Sequence, residues 1–196
     1  MKIYETKVEA GTKQWLKIPV DEECSLKAAA FCGSRPGKRL IVTAGVHGCE
    51  YIGILAVSRL IQELDPRQMK GEVVFLPIAN EGGFYKEIKQ LVPEDGVNLN
   101  RAFPGTEMGS RSAKIAAAVE TYLYPDADFL VDLHSGDIHE MVVPFAFFPV
   151  AAGETVEKKA AAAARAMSLS WRVASTAKNG LYSWAAQKGI PALLLE

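Results

Sequence analysis

The sequence predicts an α/β sandwich on a mixed, largely parallel sheet. Three apolar, β-rich runs carry that prediction: RLIVTA (39–44), VVFLPI (73–78) and FLVDLH (129–134). Each has the length and composition of a buried strand. Helical patterns lie between and after them, and strands alternating with helices favour a layered α/β fold. The size agrees. A chain of 196 residues, 49% apolar and 23% charged, suits one domain with its own core and argues against disorder.

Residues 2–9 and 14–20 look like strands separated by Gly11, and 25–32 like a third, closed by a turn over Gly33–Gly37. After strand 39–44 the period changes. Ile54, Val57, Leu60, Ile61 and Leu64 recur at helical spacing until Asp65-Pro66. Strand 73–78 follows. Residues 79–109 contain seven glycines and prolines together and read as a long, mostly irregular excursion, the kind of segment that is often functional. Residues 110–124 suit a helix with Ser110 or Ser112 as cap, and 129–134 a strand. Residues 141–148 suit a strand at an edge or bulge because of Pro144. Residues 154–168, with alanines 160–164, suit a helix with a small-residue face against the sheet. A strand at 171–175, a short helix at 180–188 and a last strand at 190–196 complete the chain. No repeat or linker divides it, so 1–196 reads as a single domain.

Charge and cysteines narrow the function. With 22 basic and 23 acidic residues, nothing favours a nucleic-acid or anionic-membrane partner. No stretch reaches the roughly 18 apolar residues of a membrane span, and the N-terminus lacks an apolar signal core. Cys24, Cys32 and Cys49 are too few and scattered for a disulfide framework, and no Cys-x-x-Cys pair exists. A cytoplasmic protein with a small-molecule partner is the simplest expectation. A homo-oligomer is compatible with it.

Two of the three histidines sit where buried strands end, the rim at which ligands gather in open α/β sheets. His47, in GVHGCE, stands three residues before Glu50; His134 closes VDLH. Two histidines and a carboxylate are the ligand set of a catalytic zinc with one position open. The same residues fit a capping glutamate and hydrogen-bonded histidines. Asp132, on the His134 side of its strand, suits either a group orienting a ligand histidine or a buried, hydrogen-bonded aspartate. In NLNRAFPG (98–105), Asn100 and Arg101 place an amide beside a guanidinium. They suit a carboxylate grip, or a loop anchored by asparagines with an exposed arginine. Glu196, after IPALLL, suits a general base at the same rim, or a solvated chain end.

Taken together, GVHGCEYIG, DGVNLNRAFPG, VDLHSGD and GIPALLLE resemble the zinc carboxypeptidase superfamily, and most closely its succinylglutamate desuccinylase/aspartoacylase branch. The likeness covers roughly residues 39–196, and its weight lies in four motifs in the right order. It implies a three-layer α/β/α sandwich. It implies one zinc held by His47, Glu50 and His134, a substrate carboxylate gripped by Asn100 and Arg101, and Glu196 as base and proton donor. The activity implied is cleavage of an N-acyl amino acid's amide bond by metal-activated water. A metallocarboxypeptidase on short peptides, and a truncated metal-binding relative without catalysis, are the alternatives. Two departures stand out. Where the family usually has an arginine before the Asn-Arg pair, this chain offers only Lys86 and Lys89, of which Lys89 fits the spacing better. The family also usually continues past the glutamate into a β-rich region, so the expectation is a catalytic domain without that region.

Overall fold

The computed structural model describes residues 1–196. The strands are β1 (Lys2–Ile3), β2 (Thr6–Lys7), β3 (Thr12–Pro19), β4 (Ser25–Cys32), β5 (Arg35–Ala44), β6 (Lys70–Leu76), β7 (Leu91–Val92), β8 (Val97–Asn98), β9 (Phe129–Leu133), β10 (Phe145–Pro149), β11 (Trp171–Ser175) and β12 (Ala192–Leu195). The helices are α1 (Tyr51–Glu63), α2 (Glu81–Tyr85), α3 (Arg111–Tyr122), α4 (Glu154–Ala166) and α5 (Leu181–Gln187). Eight strands form the main sheet in the order β11-β10-β12-β9-β5-β6-β4-β3. Its centre, β12-β9-β5-β6, is parallel throughout; β4 and β10 enter antiparallel to β6 and β12.

Side-chain alternation sorts the helices onto two faces. Ile41, Leu130, Ala192 and Leu194 pack with Ile115 and Val119 of α3 and Leu181 and Ala185 of α5. Their sequence neighbours Val42 and Leu193 point the other way, to Ile54, Val57 and Ile61 of α1 and to Ala160 and Ala164 of α4. This is the three-layer α/β/α sandwich. The alanine run of α4 works as a small-residue face, letting the helix approach Ala146 and Leu193 closely. No helix is long and apolar enough to cross a membrane.

Several expected boundaries move, each for a local reason. The strand expected at 2–9 is a hairpin of two short strands, broken where Tyr4 takes a positive φ of 50°. The turn expected at Gly33–Gly37 is mostly strand. There the backbones run so close that a Cβ on Gly33 would lie 2.5 Å from the Gly71 carbonyl oxygen, and the β5–β6 pairing shifts register between Arg35 and Arg39. The strand expected from 141 starts only at Phe145, after Pro144. The excursion over 79–109 holds α2, the β7–β8 hairpin and a 3₁₀ turn over Leu99–Arg101, elements too short to show a period.

Asp21 ties the β3–β4 turn to the start of α3. Its carboxylate accepts from Arg111 (2.7 Å) and Lys114 (3.4 Å) and from the backbone of Glu23 and Cys24. The Arg111 hydrogen bond, outweighing partial desolvation, lowers its pKa to about 2. A depressed carboxylate adds stability above its unfolded pKa of about 4, and that stability is lost as pH falls through the folded value. Asp21→Asn is therefore expected to lower the melting temperature at pH 7 and to match the parent near pH 2. Thermal melts at both pH values check this, and an equal deficit at both would contradict it.

Candidate metal centre

The parallel centre of the sheet builds the site. Ala44, Leu133 and Leu195 end β5, β9 and β12 in direct register. His134 and Glu196 are each the next residue, side by side, with the His134 N–H donating to the Leu195 carbonyl at 2.8 Å. His47 lies three residues past Ala44, carried back over the rim by a turn in which Gly45 takes φ +63°. At Gly48 the turn packs against α2 so tightly that a Cβ would lie 2.3 Å from the Gly83 carbonyl carbon.

His47, Glu50 and His134 converge, with one ligand atom from each, all within 4.8 Å of one another. Glu50 Oε1 is 2.6 Å from His47 Nδ1, and Oε2 is 2.8 Å from His134 Nδ1. Glu50 occupies the N-cap position of α1 but makes no side-chain cap; its carboxylate turns to the histidines instead. Each histidine's other nitrogen is held from behind. His134 Nε2 is 3.0 Å from Asp132 Oδ2, and the fully buried Asp132 accepts from Thr43 Oγ1 at 2.6 Å. His47 Nε2 is 3.1 Å from Asn98 Oδ1. Asp132 is thus a buried, hydrogen-bonded aspartate that also contacts His134, and Asn98 is a neighbour that sequence reasoning missed. Its partner His47 lies 51 residues away along the chain, a pairing that local spacing does not reveal.

Burial opposes ionisation of Glu50, but hydrogen bonds from His134 and His47 outweigh it and hold its pKa at about 2. Burial likewise opposes charge on His134, and the charge and hydrogen bond of Asp132, with Glu50 behind, lift it to about 10. Glu196 goes the other way. Desolvation raises its pKa, with the His134 and His47 charges pulling down and Glu50 and Asp132 pushing up. Glu196 follows Leu195 at the end of β12, next to His134 at the end of β9. Its backbone is fixed by paired hydrogen bonds with Phe145 (2.9 and 3.2 Å).

The other expected site residues lie around this centre. Asn100 is buried, its Oδ1 accepting from the Leu181 N–H at 2.9 Å. Arg101 is exposed, donates to the Asn100 carbonyl at 2.7 Å and has no acidic partner. Lys89 is not free. Its Nζ stands 3.0 Å from both oxygens of Asp137, in the loop after His134. Cys49 is buried and His139 is exposed.

Fold and site together define a class: an α/β/α sandwich with a two-histidine, one-carboxylate cluster at its strand ends. The chain belongs to the succinylglutamate desuccinylase/aspartoacylase family, whose catalytic domain matches residues 36–196. It is 35% identical over 137 residues to the N-alpha-acetyl-L-2,4-diaminobutyric acid deacetylase of Halomonas elongata, covering 67% of this chain and 40% of that protein. Among solved structures, the product-bound ectoine utilization protein EutE (DoeB) of Ruegeria pomeroyi superposes with a TM-score of 0.83 at 25% identity, covering 98% of this chain and 61% of that one. A succinylglutamate desuccinylase from Silicibacter sp. TM1040 gives 0.81 at 27% identity, with 94% and 58% covered. The chain therefore spans less than two thirds of these relatives' lengths.

Proposed function

We propose that this protein is a zinc-dependent deacylase that hydrolyses the amide bond of an N-acyl amino acid. The observation that carries the reading is the convergence of His47, Glu50 and His134 beside a Glu196 whose pKa is raised. Two imidazole nitrogens and a carboxylate oxygen, with the far nitrogens braced, fit one zinc ion and leave a position open. Bound there, zinc would polarise the scissile carbonyl and acidify the attacking water.

This chain's own residues do the rest. Glu196 removes a proton from the water and returns it to the leaving amine; a carboxylate raised by burial suits both halves. Asn100 keeps its Nδ2 donors and Arg101 its unpaired fork for the substrate carboxylate. Lys89, in the place of the family's carbonyl-polarising arginine, offers the scissile carbonyl whichever donor its Asp137 pair leaves. The products are a carboxylic acid and a free amino acid. The name of the Halomonas relative makes N-acetyl-L-2,4-diaminobutyrate the first substrate to try. Three free cysteines suit a reducing cytoplasm, the setting this reading assigns.

The test is amine release from N-acetyl and N-succinyl amino acids and from dipeptides by zinc-loaded protein, with and without a chelator. Chelator-sensitive hydrolysis of an N-acyl amino acid supports the reading. Cleavage of dipeptides alone moves it to a carboxypeptidase, and no hydrolysis by fully loaded protein removes it.

A further inference from the structure

Asn98 takes part in two separate contacts through one atom. Its Oδ1 accepts from the Asn100 backbone N–H at 2.8 Å and stands 3.1 Å from His47 Nε2. The backbone donor fixes which end of the carboxamide this is, because an NH₂ group cannot accept a hydrogen bond. The same oxygen faces His47, so Nε2 must carry the hydrogen. Nδ1, the other ring nitrogen, is turned to Glu50, 2.6 Å from Oε1. Both lone pairs of the oxygen are then used, one by a ligand of the metal centre and one by the 3₁₀ turn Leu99–Arg101.

That turn leads on. Asn100 Oδ1 holds the Leu181 N–H at the start of α5, and the Arg101 guanidinium folds back onto the Asn100 carbonyl. A continuous series of hydrogen bonds therefore runs from His47 through Asn98 to the Asn100–Arg101 pair. The two histidines are braced differently. His134 leans on Asp132, a buried carboxylate whose other oxygen goes to Thr43, a residue of the sheet. His47 leans on a neutral amide whose second bond goes to the substrate side.

We propose that Asn98 is a positioning residue that couples the metal centre to the carboxylate-binding turn, setting the orientation of the His47 ring and the placing of Asn100 and Arg101 through one shared oxygen. This rests on the deacylase reading above, and it adds that metal and substrate affinity share a residue that touches neither.

The experiment uses the whole chain with Asn98→Ala and Asn98→Asp. Zinc affinity of metal-free protein is measured by competition with a chelating indicator, without substrate. Affinity of the zinc-saturated protein for N-acetyl-L-2,4-diaminobutyrate is measured by calorimetry in a Glu196→Gln background, which prevents turnover. Asn98→Ala is expected to weaken zinc binding by about 10–100-fold. At saturating zinc it is also expected to weaken substrate binding by roughly threefold to tenfold, the loss of about one hydrogen bond. Asn98→Asp, which keeps an acceptor for both donors, is expected to restore both affinities to near the parent's.

A loss in zinc affinity with unchanged substrate affinity overturns the coupling. Unchanged zinc affinity overturns the bracing of His47, and failure of Asn98→Asp to restore either affinity shows a merely structural role. Failure of the deacylase reading looks different: the parent itself binds no zinc or no N-acyl amino acid, and both proposals fall.

Discussion

Glu196→Gln is expected to keep its zinc and to lose turnover by about 10²–10⁴-fold, the range for removal of a positioned general acid–base. The substitution preserves shape. The backbone of residue 196 stays paired with Phe145 and keeps its place at the rim next to His134. What disappears is the ability to accept and return a proton. Because Glu196 is not in the ligand cluster, metal content should not change. Zinc analysis and kcat on one preparation check this. A variant with full zinc and near-parent turnover would place the base elsewhere.

The second large effect is expected at Asp132. It is fully buried and joins Thr43 to His134 across neighbouring strands. Asp132→Ala leaves His134 buried with its Nε2 unpartnered and the Thr43 hydroxyl without its acceptor. Breaking a buried charged pair costs about 3–5 kcal/mol, on the order of 10 °C for a chain of this size. Removing the brace behind a ligand histidine typically weakens metal binding by about 10–100-fold. Asp132→Asn keeps an acceptor for Thr43 and should lose less stability than Asp132→Ala. Thermal melts of the two variants and a zinc competition assay separate the effects; equal stability of both variants and the parent would contradict the account.

The layered fold was legible because its central strands are apolar on both faces. Runs such as RLIVTA and FLVDLH have few other readings, and the change to helical spacing after Glu50 is clear. The edges were less legible. The hairpin at the N-terminus turns on one backbone angle at Tyr4, and the glycines at 33–37 serve close strand contact rather than a turn, which composition alone does not distinguish. In the site, strand-end position pointed to His47, His134 and Glu196, since the register of β5, β9 and β12 places their ends together. Asn98 and Asp137 escaped because their importance lies in partners far along the chain: His47 is 51 residues from Asn98, and Lys89 is 48 from Asp137. Local spacing cannot show such pairings.

Lys89 shows what spacing can suggest and only packing can qualify. It was expected as a substrate contact in place of an arginine. Both Asp137 oxygens take up its charge, so it reaches a substrate only with a donor left over from that pair. Arg101 is the cation that remains unpaired. Under the proposed function the substrate carboxylate falls to Arg101 with Asn100.

The central claim is that His47, Glu50 and His134 hold a metal ion. Elemental analysis of the purified protein and of His47→Ala and His134→Ala, each dialysed against the same zinc buffer, tests it most directly. About one zinc per parent chain, and little in either variant, is the predicted result. Full zinc in both variants, or none in the parent, would contradict it.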